Sequence, residues 1–226
     1  MRQTAIQFYS HDMALEAVLS TPGDSSSDSP AGPTKPSGPS SHGLVIVCHP
    51  LPLLGGNMDN ALIIAICRAL DGHGLASLRF NFRGVKGSEG RFSNGPGEQD
   101  DLLAAMDAMT HWPGIDRKRM AVAGYSFGAG VALGLMDRLT AARGFAAVAP
   151  PISSTRSMSV AGERPILFVA GTNDRISPPV ELQRALDGID GPVKFTEMTN
   201  TDHSLAGREA EVADTVAEFL AQALTD

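Results

Sequence analysis

Met120-Ala121-Val122-Ala123-Gly124-Tyr125-Ser126-Phe127-Gly128 decides the fold of this chain. Its first four residues are a short apolar run, bounded upstream by the charged stretch Asp116 to Arg119. Downstream, Ala129 to Leu139 has helical spacing and strong helix formers. A strand is therefore expected to turn sharply into a helix at the Gly-x-Ser-x-Gly pentapeptide. A serine on such a turn points its hydroxyl out of the sheet, toward solvent and substrate. Glycines flank it because side chains there would collide with the neighbouring strand and helix. The pentapeptide alone is a modest signal in a chain rich in Gly and Ser; the strand and helix around it give it weight.

The pattern repeats on both sides of that turn. Leu44 to Cys48, Ala76 to Phe82, Phe145 to Ala149, Ile166 to Ala170 and Val193 to Glu197 read as further strands. Between and after them, Asp59 to Leu70, Glu98 to Met109, Pro179 to Leu186 and Glu209 to Leu224 read as helices. Continuous apolar strands alternating with amphipathic helices predict an α/β fold, a mostly parallel sheet covered on both faces. Functional residues in such sheets gather in loops at the strands' C-terminal ends. At the N-terminus, Ala5 to Tyr9 and Ala14 to Leu19 look like an edge hairpin. Pro22 to His42 is almost wholly Pro, Gly, Ser and charged residues, a composition that predicts a flexible loop.

The chain has 226 residues, 42% hydrophobic and 19% charged, which suits a single domain spanning residues 1–226. A formal charge of −7 and the lack of a basic run argue against a nucleic-acid or anionic-membrane surface. Met1 to Ser20 carries Arg2, His11, Asp12 and Glu16 where a secretion signal requires a continuous apolar segment. No stretch reaches the ~20 apolar residues of a membrane helix. Cys48 and Cys67 fall in a strand and a helix, as buried thiols rather than a disulfide, and without zinc-ligand spacing. A cytoplasmic protein, monomer or homodimer, is the expectation.

Chemistry is carried by three strand ends. Ser126 is a weak nucleophile unless a base takes its proton, and the base needs an acid to hold its tautomer. Asp174 lies in the loop after Ile166 to Ala170, and His203 lies between Val193 to Glu197 and the final helix. Asp174 also fits a plain turn former, and Asp202 is a rival acid that more readily shapes its own loop. An oxyanion hole needs backbone N–H donors, which proline lacks. In Cys48-His49-Pro50-Leu51-Pro52 the best-placed donor is therefore Leu51, with Phe127 as the second. Asn57 is a candidate cap for the following helix and a possible substrate contact. His49 reads as structural, with a substrate contact or an alternative base left open. Arg83 either pairs with a carboxylate or binds an anionic substrate group.

Taken together, His49-Pro50-Leu51-Pro52 with Gly55-Gly56 and Asn60, Arg79-Phe80-Asn81-Phe82-Arg83-Gly84, the Ser126 pentapeptide, Asp174 and His203 resemble a small bacterial α/β-hydrolase family. It is a cap-less group similar to dienelactone hydrolases. The resemblance runs from about residue 43 to the C-terminus. It implies the α/β-hydrolase fold, a Ser126–His203–Asp174 triad and a Leu51/Phe127 oxyanion hole. Serine stands where true dienelactone hydrolases have cysteine, so their substrate does not carry over.

The leading expectation is hydrolysis of a small-molecule carboxylic ester, with no cofactor and no metal. The short stretch between Ala149 and Pro165 is too brief for a helical lid domain, which favours small soluble esters. A thioesterase or peptidase with the same triad is the enzymatic alternative, because leaving-group preference lives in pocket shape. A non-catalytic binding scaffold is the alternative of another class; it predicts a disrupted triad.

Overall fold

The computed structural model describes residues 1–23, 41–155, 158 and 162–225. Most of the stretch expected as a flexible loop, 24–40, lies outside the described residues. The strands are β1 (Arg2–Ser10), β2 (Met13–Thr21), β3 (His42–Cys48), β4 (Ala76–Phe80), β5 (Ile115–Tyr125), β6 (Ala142–Val148), β7 (Ile166–Gly171) and β8 (Val193–Met198). Among the described residues they form one sheet in the order β1-β2-β4-β3-β5-β6-β7-β8. The β1–β2 hairpin is antiparallel and joins β4 antiparallel; β4, β3 and β5 to β8 run parallel. This is the α/β-hydrolase fold. Helices α1 (Ala61–Gly72), α2 (Pro96–Thr110), α3 (Phe127–Leu133), α4 (Ile152–Thr155), α5 (Pro179–Leu186) and α6 (Glu209–Ala223) connect and close it, with a single 3₁₀ turn at Pro52–Leu54.

Why the central strands show no alternation follows from the two cores. In β3, Leu44, Ile46 and Cys48 face one layer with Leu102, Met106, Val131 and Leu182 of α2, α3 and α5. Val45 and Val47 face the other layer, where α1 and α6 present Ile63, Ile66, Leu70, Val216 and Leu220. Each buried Leu, Ile or Val is worth roughly 1.5–3 kcal/mol, so both faces must be apolar and polar alternation is lost. The helices obey the complementary rule: α1 buries Leu62, Ile63, Ile66, Cys67 and Leu70, a single stripe.

Strand order creates the crevice. From β3 the chain crosses α1 to β4 on one side, then α2 carries it back to β5 on the other. The loops leaving β3 and β5 therefore diverge at adjacent strand ends, the place where parallel sheets open a binding crevice.

Several boundaries differ from expectation. β4 ends at Phe80, two residues early: the Asn81 N–H still donates to the Glu16 carbonyl of β2, but the Phe82 N–H turns to the His49 ring. β5 begins at Ile115, which pairs with His42, so the charged stretch Asp116 to Arg119 is strand rather than boundary; Arg117 and Lys118 are exposed, and Arg119 Nε donates to the Leu224 carbonyl at 2.9 Å. α3 stops at Leu133 instead of Leu139. Beyond Gly134 the bonds shorten to three-residue spacing, as from the Leu135 N–H to the Ala132 carbonyl (3.1 Å), and the chain loosens into turns. The cap of α1 is Asn60, whose side chain accepts from the Leu62 N–H at 3.0 Å, and not Asn57. Both cysteines are buried and free. Among the described residues no helix is long and apolar enough to cross a membrane.

Candidate active site

Ser126 sits between β5 and α3 at φ 51° and ψ −113°, a left-handed conformation that costs a non-glycine residue about 1–3 kcal/mol. Its surroundings enforce that conformation. A Cβ on Gly124 would lie 2.5 Å from the Gly128 carbonyl and the Ala129 nitrogen, and one on Gly128 2.5 Å from the Cys48 oxygen. Only glycine at both positions lets α3 start against β3 and β5. The Ser126 N–H donates to the Val148 carbonyl at 2.8 Å, fixing the turn to β6.

A second close approach brings the remaining two side chains to the serine. A Cβ on Gly171 would lie 2.5 Å from the Thr201 oxygen and 2.6 Å from that of Asp202, so the loops after β7 and β8 touch backbone to backbone. The Asn173 N–H donates to the Thr201 carbonyl (2.9 Å) and the Thr172 N–H to that of Met198 (2.9 Å). Across this seam His203 Nδ1 meets Asp174 Oδ2 at 2.9 Å, and His203 Nε2 meets Ser126 Oγ at 2.8 Å. A carboxylate only accepts, so Nδ1 carries the proton and Nε2 is the free acceptor facing the serine hydroxyl. The other Asp174 oxygen accepts from the Ile176 and Ser177 N–H groups, each at 2.8 Å. Burial penalises the Asp174 charge, but His203 and these two amides outweigh it and hold the carboxyl below its usual range. Asp202 is turned elsewhere: its Oδ1 accepts from the N–H and hydroxyl of Ser204 at 2.9 and 2.6 Å.

These groups open into a cleft of about 1080 Å³, whose wall includes Leu51, Phe127, Ser126 and His203. Leu51 lies in the tight turn after β3, where its carbonyl takes the Leu54 and Gly56 N–H groups at 3.1 and 3.0 Å. Among the described residues neither the Leu51 nor the Phe127 N–H has an acceptor, the latter because it opens a helix. Such an arrangement can activate a hydroxyl nucleophile and offer two amides to a developing negative charge.

Three candidate substrate contacts are engaged elsewhere, His49 and Arg83 in the structural roles that were the alternatives for them. His49 is fully buried, its Nδ1 against the Pro50 carbonyl at 2.7 Å and its Nε2 accepting from the Phe82 N–H at 3.1 Å. Arg83 grips the buried Asp101, with Nη2 2.7 Å from Oδ1 and Nε 3.1 Å from both oxygens. Asn57 bonds within its own turn, to the Gly55 carbonyl and the Asp59 N–H, both at 2.9 Å. None of the three is on the cleft wall. One contributor escaped the sequence reading. The Tyr125 hydroxyl donates to the carbonyls of His203 (3.0 Å) and Ser204 (3.3 Å), tying the histidine loop to the strand that carries the serine. Its only sequence signal is its place inside the pentapeptide. Among the described residues no group of three or more His, Cys, Asp or Glu side chains is arranged to hold a metal ion.

Comparison with known proteins agrees with the fold. An alpha-beta serine hydrolase homologue from Coxiella burnetii matches 99% of this chain and 98% of its own, at 31% identity and a TM-score of 0.79. A serine hydrolase without a lid from Xanthomonas campestris matches 100% of this chain and 94% of its own, at 25% identity and a TM-score of 0.75. An uncharacterised protein of Rickettsia prowazekii is 29% identical over 196 residues, 83% of this chain and 80% of that one. Residues 44–225, which include Leu51, Ser126, Phe127, Asp174 and His203, match the family described as the alpha/beta hydrolase domain, and the chain belongs to that family.

Proposed function

We propose that this protein is a serine esterase that hydrolyses small carboxylic esters through an acyl-enzyme on Ser126. The observation that carries the reading is the unbroken hydrogen-bonded line from Ser126 Oγ through His203 to Asp174 at the cleft. Ser126 Oγ attacks the ester carbonyl carbon while its proton passes to His203 Nε2. The carbonyl oxygen becomes an oxyanion that the Leu51 and Phe127 amides receive. Asp174 steadies the imidazolium without taking its proton. His203 then protonates the departing alkoxide, leaving an acyl group on Ser126. A water that gives its proton to His203 attacks that acyl carbon, the acid departs, and the proton returns to Ser126.

Small substrates are favoured by the lack of room for a lid between β6 and β7, in keeping with the lidless relative from Xanthomonas campestris. The resemblance of the motifs to those of dienelactone hydrolases is in keeping with acyl-transfer chemistry, with serine as nucleophile. A fluorophosphonate probe tests the reading directly. It should label the wild type and not Ser126→Ala, and 4-nitrophenyl esters of short acyl chains should be turned over only by the former. Retention of more than a tenth of wild-type kcat in Ser126→Ala overturns the assignment.

A further inference from the structure

The cleft has one cationic side chain on its wall among the described residues, and it is Arg175. Cations at the neighbouring strand ends are paired at close range: Arg79 and Lys86 share Asp59 at 3.0 and 2.8 Å, and Arg83 meets Asp101 at 2.7 Å. Arg175 is exposed, and among the described residues its guanidinium has no acceptor. Its backbone is nonetheless held in place, because Asp174 Oδ1 binds the next two amides and the Ser177 hydroxyl donates to the Pro150 carbonyl. Asn173 and Asn200 stand on the same wall, and their side-chain amides add neutral donors. Leu54 and Ile176, 83% and 52% exposed, also line the cleft and present apolar surface to whatever fills it.

We propose that Arg175 makes the site selective for esters that carry a carboxylate, with the apolar remainder of the substrate resting on Leu54 and Ile176. The inference rests on the acyl-transfer reading of Ser126 for its chemistry, and on Arg175 alone for its selectivity. In a chain of net charge −7 the general field repels an anion, so a local cation on the wall of the cleft that holds Ser126 is what admits one. A guanidinium offers a planar fork of donors matched to a carboxylate, which a neutral ester of the same shape does not use. The opposing charge on that wall is Asp202, already occupied by Ser204. It weakens the attraction without abolishing it.

Two matched pairs of esters test this. Mono-4-nitrophenyl adipate against 4-nitrophenyl heptanoate puts the charge on the acyl side; 4-acetoxybenzoate against 4-methylphenyl acetate puts it on the alcohol side. The wild type should prefer the anionic member of at least one pair by about five- to tenfold in kcat/KM at low ionic strength, less with added salt. Arg175→Gln should lose that preference while keeping kcat/KM for the neutral partner within about twofold, as befits an exposed side chain outside the reacting groups. Asp202→Asn should widen the preference. Binding of the same four esters to Ser126→Ala, with and without Arg175→Gln, reads the selectivity without turnover. Arg175-dependent binding of the anionic member with no turnover by the wild type would leave the carboxylate site standing and remove the esterase reading. Equal ratios in Arg175→Gln and its parent, in both pairs and by both measurements, overturn the carboxylate site whatever the turnover.

Discussion

Two histidines occupy similar places in this molecule and do different things. His49 follows β3, His203 follows β8, and each has Nδ1 as donor and Nε2 as acceptor. The difference lies in their partners. His49 is bonded to two backbone groups, the Pro50 carbonyl and the Phe82 amide, and is sealed against Phe82 with ring centroids 4.8 Å apart. Burial pushes its pKa down to about 4, only partly opposed by the Pro50 carbonyl and the charge of Glu98. His203 instead spans a carboxylate and a hydroxyl at the edge of a cleft. Backbone partners hold a ring still and neutral; under the proposed mechanism, a carboxylate on one side and the Ser126 hydroxyl on the other let it accept a proton and return it. Position at a strand end offers a histidine to the crevice, and its two partners decide whether it becomes a pillar or a base.

The sharpest break in that comparison is to delete each ring. His203→Ala should lower kcat for an activated ester by roughly 10⁴–10⁶ with the fold intact. His49→Ala should leave fluorophosphonate labelling in place at temperatures where it is folded. Loss of labelling in His49→Ala with labelling kept in His203→Ala would exchange the two roles. Next in size is the acid. Asp174→Asn should cost roughly 10³–10⁴ in kcat, because an amide can hold the imidazole in the wrong tautomer. Asp202→Asn should cost little on neutral esters. A larger loss from Asp202→Asn would move the acid to the exposed side of the loop.

Stability against pH distinguishes the pair in the opposite sense. The folded His49 pKa of about 4 lies below the ~6.5 of an unfolded chain, so the native state disfavours the imidazolium. Above about pH 6.5 both states are neutral and the contribution is complete. As pH falls from 6.5 toward 4 the unfolded state takes up the proton first, and on the order of 3 kcal/mol of stability is lost. The depressed Asp174 carboxyl adds a loss only lower, once pH falls below the ordinary carboxylate pKa. Chemical denaturation at pH 7, 6, 5 and 4 should therefore show a decline that His49→Gln flattens, although that variant starts less stable. An unchanged slope in His49→Gln would remove burial as the source of the shift.

The two histidines also mark how far the sequence can be read. Ser126 and Asp174 were legible because each follows an apolar strand run, and His203 because it falls in the polar stretch between the last strand and the final helix. Arg83 was ambiguous because its partner, Asp101, is a helix residue whose complete burial shows only in three dimensions. Asn57 and Asn60 are equivalent as letters. Capping is settled by which one precedes the first helical turn with its side chain toward the Leu62 amide. The long α3 expected from Ala129 to Leu139 failed at Gly134, where one glycine costs about 1 kcal/mol of helix propensity and tertiary contacts did not restore it. Arg175 was passed over since a turn rich in polar residues hides which of them faces the cleft.

The smallest expected effect concerns the brace that keeps His203 from behaving as His49 does. His203 rides on an exposed polar loop, and a base within 2.8 Å of its nucleophile must be held there. Part of the hold comes from Asp174, part from the loop seam at Gly171, and part from the Tyr125 hydroxyl beneath the His203 and Ser204 carbonyls. Tyr125 is 7% exposed, and burial, with Asp174 close by, pushes its pKa up to about 12, so it stays a donor across the working range. Tyr125→Phe keeps the ring and removes the donor, at a cost of about 1 kcal/mol for a lost neutral hydrogen bond. If that cost falls on the placement of His203, kcat should drop about fivefold with KM nearly unchanged, since the hydroxyl is engaged by the His203 and Ser204 carbonyls. If it falls on the fold alone, the thermal midpoint should drop by a few degrees with kcat intact below the transition. The bond lengths favour the first outcome: the shorter bond, 3.0 Å, goes to the carbonyl of the histidine whose ring it steadies. A full kcat in Tyr125→Phe would mean that Asp174 and the β7–β8 seam suffice to hold the base.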